Sequence, residues 1–293
     1  MKRRNMSRPW VSVLFWTGWT TVRFLPLPVA SALMSWLMRT LAEQLTRQDT
    51  IRENLSKAFP ELPPKKLRET ARAVAANLGL IAAELCHIDK FRGGVANGTL
   101  TYTGEDQLAL AKAGPVIFVG PHQWNWEIVP LLYTEHGIRV TSVYGKLGNS
   151  LIDRTILAQR RKTGAKYVEK RQAVRALMNT LESGGSLAFL VDQRVKSGVR
   201  VKFFGRDTLM TGVPARLAIR YRCPIVPMEM ERREGHRFHM IFGKPIYPPA
   251  EAGAEAERQM TQAIAVQLER IIRRSPATWF CSKKRWPESA EAN

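Results

Sequence analysis

The chain has 293 residues, enough for one large domain, and 45% of them are apolar, which excludes a disordered chain. It carries 45 Lys and Arg against 25 Asp and Glu, a net charge of +20. This surplus indicates an anionic partner, either nucleic acid or an anionic membrane and its headgroups. The cysteines Cys86, Cys223 and Cys281 are far apart and lack metal-ligand spacing, so we expect reduced, mostly buried thiols rather than a zinc site.

Residues 1–46 form an apolar N-terminal region that follows a basic start. One apolar run extends from Pro9 to Val22, Arg23 interrupts it, and a second run continues from Phe24 to Met38. Neither run reaches the ~20 apolar residues that span a bilayer. The runs are rich in aromatic residues, which favour the headgroup boundary of a membrane. We therefore predict anchor helices that lie in or dip into the membrane from the cytoplasmic side, with a buried core helix or a tilted span as alternatives. No cleavage signal follows convincingly, so we do not expect a removed signal peptide.

Residues 47–287 are predicted to be an α/β domain that begins with two helices. Helical spacing of apolar residues indicates one helix from Arg47 to Phe59. A Pro-Pro turn follows, and Pro64 suits the start of a second helix, which we expect to extend to about Ile88.

Beyond Gly93-Gly94, short apolar runs alternate with amphipathic stretches, a pattern typical of a mixed sheet flanked by helices. The predicted strands are Val116–Val119, Arg139–Tyr144, Ser186–Val191, Val199–Phe204, Ile225–Glu231 and Phe238–Phe242. The predicted helices are Asp106–Lys112, Trp126–Glu135, Ser150–Thr163, Gln172–Glu182, Gly212–Tyr221 and Ala254–Arg274. Residues 288–293 are expected to be a frayed tail.

The segment Gly114–Glu127 carries the strongest chemical signal in the chain. A buried strand ends in a Gly-Pro turn, His122 follows immediately, and Glu127 comes five residues later. Ligands in α/β sheets bind beyond the carboxyl ends of strands. A neutral imidazole can accept the proton of a hydroxyl, and a carboxylate on its other nitrogen fixes the tautomer. On spacing alone, a helix-capping histidine with a solvated glutamate remains the alternative.

Several blocks together resemble the bacterial lipid A late acyltransferases, which fall within the wider class of glycerolipid acyltransferases. The similarity extends over nearly the whole chain, and its central block is a His-x4-Glu motif preceded by Gly-Pro. The blocks are Gly120–Glu127, Arg52–Glu61, Glu84, Phe203–Gly205 with Thr211-Gly212, Pro224–Pro227, and Pro276 with Trp279 and Arg285–Pro287.

The resemblance implies a membrane-associated O-acyltransferase that moves a fatty acyl chain from a thioester to a hydroxyl of a lipid A precursor. The thioester would be carried by acyl carrier protein or coenzyme A, and the enzyme would work at the cytoplasmic face of the inner membrane. His122 would be the general base and Glu127 would orient it, without an acyl-enzyme, a metal or a redox cofactor. A lysophospholipid, an aminolipid or a glycosylated inositol lipid is the alternative acceptor.

The resemblance also implies a set of substrate-binding or site-shaping residues. Arg160 is expected to contact the substrate or the oxyanion, and the cations beside Phe203-Phe204-Gly205 are expected to hold phosphates. The full set is Asn125, Arg160, Asp192, Gln193, Lys202 and Arg206. A non-catalytic, basic nucleic-acid-binding protein is the competing function, but the sequence has no zinc-finger, RNP or helix-turn-helix signature, so no nucleic acid is expected as a partner.

Overall fold

A seven-stranded sheet forms the centre of residues 9–286, the part of the chain that the computed structural model describes. Its strand order is β1-β9-β8-β2-β5-β3-β4, and its pairs are parallel except β8 with β9. The strands β6 and β7 form a separate antiparallel hairpin. The strand bounds are β1 (Leu100–Thr103), β2 (Ile117–Gly120), β3 (Val140–Tyr144), β4 (Lys166–Glu169), β5 (Ser186–Leu190), β6 (Val199–Phe203), β7 (Arg206–Met210), β8 (Ile225–Arg233) and β9 (Arg237–Phe242).

Helices cover both faces of the sheet, so the predicted mixed α/β architecture is confirmed. The reason is visible in β2, where Ile117 and Val119 face one apolar core while Val116 and Phe118 face the other. A strand that is buried on both faces needs helices on both sides. The helices are α1 (Pro9–Phe24), α2 (Leu27–Thr40), α3 (Ala42–Leu45), α4 (Gln48–Ala58), α5 (Pro64–Cys86), α6 (Glu105–Ala113), α7 (Val129–Glu135), α8 (Ser150–Arg161), α9 (Ala173–Glu182), α10 (Val213–Tyr221) and α11 (Ala254–Arg274).

Three strands and one helix start differ from the sequence predictions. The short strands β1, β4 and β7 were not predicted, since each has only four or five residues and contains polar as well as apolar side chains. Helix α7 begins at Val129 rather than at Trp126. The backbone at Trp124 has φ +50°, a left-handed conformation, and residues 121–128 form a loop between β2 and α7.

The N-terminal helices pack on α5 and also expose apolar side chains. Gly79 of α5 allows the close approach, because a Cβ at this position would collide with the carbonyl group of Met34 in α2. The exposed apolar side chains of α1 and α2 are Val13, Leu14, Trp16, Phe24, Val29, Leu33 and Trp36. No helix within residues 9–286 has both the length and the apolar character that crossing a bilayer requires. The basic start and the expected tail at 288–293 lie outside the described residues.

Candidate functional site

The register of two neighbouring parallel strands brings His122 to Asp192. Gly120 at the end of β2 is the register partner of Leu190 at the end of β5. His122 and Asp192 each follow two residues later, so both side chains emerge at the same height above the sheet edge. Nδ1 of His122 lies 2.6 Å from Oδ1 of Asp192, and the backbone N–H of His122 donates to the same oxygen at 3.1 Å.

Asp192 is held as a buried carboxylate. Its side chain is almost inaccessible, and its second oxygen accepts a hydrogen bond from Nε1 of Trp279 at 2.9 Å. Burial by itself would raise the pKa of Asp192. The charge and the hydrogen bonds of His122, together with the bond from Trp279, outweigh burial and lower the pKa below its usual value. An ionised carboxylate only accepts hydrogen bonds, so Nδ1 of His122 must carry the proton.

The other edge of the His122 ring remains available. Its Nε2 has no hydrogen-bond partner among residues 9–286, and the side chain is 20% exposed. Trp126 stands edge-on to the imidazole with ring centroids 5.3 Å apart, and Phe280 stacks on the far side of Trp126. The backbone N–H of Phe280 donates to the carbonyl of His122 at 2.7 Å. Asp192 thus holds the imidazole at Nδ1, and the ring of Trp126 packs beside it.

Glu127 does not hold His122, which corrects the expectation from the sequence. Its two oxygens accept a bidentate pair of hydrogen bonds from Arg160, at 2.7 Å from Nε and 2.6 Å from Nη2. Nε1 of Trp126 also donates to Glu127, at 3.0 Å. Because residues 121–128 form a loop rather than a helix, the fifth residue after His122 points toward α8. Burial alone would lower the pKa of Arg160, but the charge and hydrogen bonds of Glu127 raise it.

Asn125 ties the loop to a buried polar cluster. Its Oδ1 accepts from the backbone N–H of Glu127 at 3.0 Å, and its Nδ2 donates to Glu84 at 2.7 Å. Glu84 is fully buried in α5 and also accepts hydrogen bonds from Arg232 and, at 3.2 Å, from His236. Burial lowers the pKa of Arg232 to about 10. Asn125 therefore positions the loop that carries the site, and its expected contact with substrate stays a prediction.

Three further residues expected at the site lie outside the His122–Asp192 pair. Gln193 accepts from the ammonium of Lys283 at 2.6 Å. Lys202 is exposed on β6, where its main chain pairs with the side chain of Gln262. Arg206 begins β7 and donates to the carbonyl of Lys57 in α4 at 3.1 Å. The structure therefore groups Lys202 and Arg206 on the β6–β7 hairpin, and neither touches His122 or Asp192.

Trp279 was not predicted as a functional residue, although it belongs to one of the blocks that carry the family resemblance. It lies in the Pro276–Trp279 block, about 90 residues beyond Asp192 in the chain, and only the fold reveals that it donates to that carboxylate. A buried tryptophan near the C-terminus indicates core packing, and this ring does stack on Phe204. The indole N–H of Trp279 was the signal for a polar role, because the N–H of a buried indole usually donates a hydrogen bond to a nearby acceptor.

Comparisons with known proteins show which family and which relatives this chain is similar to. The sequence profile of the bacterial lipid A biosynthesis acyltransferases matches residues 1–288. A phosphatidylinositol mannoside acyltransferase of Mycolicibacterium smegmatis is 23% identical over 276 residues, which cover 92% of this chain and 89% of that protein. The protein of the same name from Mycobacterium tuberculosis is 23% identical over 310 residues, with 97% and 91% covered. A crystal structure of a 1-acyl-sn-glycerophosphate acyltransferase from Thermotoga maritima aligns with a TM-score of 0.40 and 16% identity, over 87% of this chain and 99% of that one.

The family match spans almost the entire chain, including the loop that carries His122 and the segment that ends near Trp286. The relatives named above are acyltransferases and align with nearly their whole lengths. The chain therefore belongs to the bacterial lipid A biosynthesis acyltransferase family, and it is an acyltransferase.

Proposed function

We propose that the protein is a membrane-associated O-acyltransferase in which His122 acts as the general base on the hydroxyl of a lipid acceptor. The observation that carries the proposal is the asymmetric environment of the imidazole. Nδ1 is bound to a buried carboxylate, whereas Nε2 has no hydrogen-bond partner within residues 9–286 and the side chain is 20% exposed. This tautomer presents a lone pair on the open side of the ring, as a base requires.

The proposed reaction is one substitution at the thioester carbonyl carbon, and two proton transfers through His122 accompany it. Nε2 of His122 takes the hydroxyl proton as the acceptor oxygen forms a bond to the thioester carbonyl carbon. The carbon–sulfur bond then breaks, and the same proton passes from Nε2 to the departing sulfur. Asp192 stabilises the transient imidazolium without taking its proton. The products are an ester and a free thiol, and the protein returns to its starting protonation state.

Glu127 and Arg160 support this reaction from the side of α8. We assign Glu127 a positioning role in the proposed reaction. It hydrogen-bonds to Arg160 and Trp126 and not to the imidazole. Two nitrogens of Arg160 are used by Glu127, and Nη1 has no hydrogen-bond partner within residues 9–286. A guanidinium with an unused donor in a partly buried site suits the oxyanion that forms on the thioester carbonyl.

The place of action is the cytoplasmic face of the inner membrane. The support is the apolar surface of α1 and α2, where Leu14 is 67% exposed and Phe24 is 85% exposed. Contiguous exposed apolar surface marks an interaction site, and aromatic residues favour the headgroup region. The net charge of +20 complements both an anionic leaflet and an anionic acceptor.

For the acceptor we propose a lipid A precursor, in line with the family, and for the donor an acyl thioester of acyl carrier protein or coenzyme A. A glycosylated inositol lipid is the second candidate. It is favoured by the names of the mycobacterial relatives, which align over 92% and 97% of this chain. Both acceptors offer a hydroxyl group on an anionic lipid, so the same base chemistry serves either one.

The deciding experiment is mass spectrometry of total lipids from cells that express the wild-type chain, His122→Ala or no protein. Wild-type cells should contain a lipid that is heavier by one acyl group, and its fragments name the acceptor. His122→Ala should lose this species by about 10²–10⁴-fold. The matched control is His239→Ala, since His239 lies on β9 and bonds to Thr101. Near-normal transfer by His122→Ala would show that another group is the base.

A further inference from the structure

A cleft of about 850 Å³ opens between α1, the turn Ile88–Phe91 and α8. None of the residues that line it belongs to the loop 121–128 or to the Asp192 segment. Its volume lies in the range of small-molecule sites, about 300–1,000 Å³. The cleft therefore has no lining residue in common with His122, Asp192, Glu127 or Arg160, although Gln159 adjoins Arg160 on α8. It is large enough for part of a lipid.

Three cationic side chains line the cleft, namely Arg23, Lys90 and Arg154. Among its lining residues within the described part of the chain, Asp89 is the one acidic residue. Asp89 is already bound by Arg23 at 3.0 Å and by Lys162 at 2.8 Å. Within the described residues, Lys90 and Arg154 form no ion pair with a carboxylate. Two cations thus remain available to an anion that enters the cleft.

Aromatic side chains of α1 line the same cleft. Trp16 is 42% exposed and Phe24 is 85% exposed, and both line the cleft together with Trp19. An amphiphile lying here would place its apolar part on these rings and its anionic part near the cations.

A buried amide oxygen at the cleft also lacks a hydrogen-bond partner within the described residues. Gln159 lines the cleft, is only 8% exposed, and its Oε1 has no hydrogen-bond partner within residues 9–286. Leaving a buried amide oxygen without a hydrogen bond is destabilising, so a donor from a ligand would be stabilising. The hydroxyl group of a lipid headgroup is such a donor.

We propose that this cleft binds the headgroup of an anionic, hydroxyl-bearing glycerophospholipid. Arg154 and Lys90 contact the phosphodiester, Gln159 accepts from a headgroup hydroxyl, and the acyl chains lie over Trp16 and Phe24. The site goes beyond the proposed transfer reaction and does not depend on the role of His122. It would give the enzyme a fixed lipid contact at the membrane beside its catalytic loop.

The test uses the purified full chain and dihexanoylphosphatidylglycerol, a short-chain lipid kept below its micellar concentration, with affinity measured by calorimetry. Arg154→Glu should weaken binding roughly tenfold or more, because it replaces a charge-assisted contact with repulsion. The matched control is Arg175→Glu, which changes the net charge equally at an exposed position of α9. It should leave the affinity within about twofold, as expected for a screened distant charge.

Two further probes identify what the cleft recognises. Inorganic phosphate should bind much more weakly because it lacks the apolar contacts, and dihexanoylphosphatidylcholine should bind weakly because its headgroup has no net charge. Equal weakening by Arg154→Glu and Arg175→Glu would overturn the proposal in favour of non-specific attraction. Inorganic phosphate binding as tightly as the lipid would overturn it in favour of a free-anion site. The lipid is monomeric and no acyl donor is present, so failure here is distinguishable from failure of the membrane or catalytic proposals.

Discussion

His122 and Asp192 are 70 residues apart in the chain, yet Nδ1 of one lies 2.6 Å from Oδ1 of the other. The contact follows from the parallel pairing of β2 and β5, which aligns Gly120 with Leu190. A histidine base needs a carboxylate at Nδ1 and an accessible Nε2, and within the described part of the chain Nε2 of His122 has no hydrogen-bond partner.

Asp192→Asn should lower kcat about 10²–10³-fold while KM stays nearly unchanged, because the amide no longer enforces the tautomer with Nε2 unprotonated. The measurement is steady-state transfer over a range of pH, since a positioning role also alters the pH profile. Asp207→Asn, an exposed change on β7, is the control. A variant with unaltered kcat and pH profile would remove Asp192 from the mechanism.

Trp279→Phe should destabilise the protein by about 2 kcal/mol, because Asp192 loses a hydrogen bond to its charged form. Trp286→Phe is the matched control, since Nε1 of this buried ring has no partner within residues 9–286. The pKa of Asp192 is lowered in the folded state. Its contribution is therefore present above the unfolded pKa and lost as pH falls through the folded pKa. Acid unfolding of Trp279→Phe should begin at a higher pH than that of wild type, and coincident acid transitions would contradict this role.

Glu127→Gln should cost about 2–3 kcal/mol of stability, because it leaves Arg160 partly buried without its carboxylate. Chemical denaturation measures the loss. The double variant Glu127→Gln, Arg160→Met should recover most of it, since no unpaired cation remains. Transfer activity should stay low in the double variant if Arg160 stabilises the oxyanion. Recovery of full activity would assign both residues a structural role alone.

Glu229 should make the stability of the protein depend on pH in the direction opposite to that of Asp192. Burial raises its pKa from 4.5 to about 7, although Arg274 acts against the shift. The folded protein therefore binds this proton more tightly than the unfolded chain, so the stability contributed by Glu229 declines as pH rises from about 4.5 to about 7. Glu229→Gln should remove that decline. Melting temperatures of both proteins across this range test it, and parallel curves would show that Glu229 titrates normally.

Leu14→Glu should reduce sedimentation with vesicles of phosphatidylcholine and phosphatidylglycerol, because it places a charge on the exposed apolar surface of α1. Val174→Glu is the control, since Val174 is 72% exposed on α9, away from this surface. A several-fold loss is expected for the first variant and little change for the second, given about 1.5–3 kcal/mol for one large apolar side chain. Equal sedimentation of both variants would place the membrane contact elsewhere.

Much of the architecture was predictable because it follows from local patterns. The periodicity of apolar residues gave α11 with its observed bounds and placed six strands within one or two residues of their observed ends. The strands β1, β4 and β7 were not predicted, because short segments that are half polar show no clear periodicity of apolar residues. Such segments form strands only when neighbouring strands pair with them.

The candidate site was only partly predictable. His122 was found because a strand end followed by a Gly-Pro turn and a histidine is local information, and Asp192 was among the residues that the resemblance implied for the site. The choice of Asp192 over Glu127 as the partner of His122 depends on strand register and on the left-handed backbone at Trp124. Neither is encoded in the spacing of two residues along the chain.

The sequence by itself determined the alternation of strands and helices, the position of His122 and, through blocks spread over the chain, membership in the acyltransferase family. The tertiary structure alone decided which carboxylate meets the imidazole, that Glu127 binds Arg160, and that Trp279 donates to Asp192. The physical reason is the range of the interactions. Helix periodicity and turn conformation act over a few residues, whereas hydrogen bonds between residues 70 or 87 positions apart form only after packing has aligned the strands.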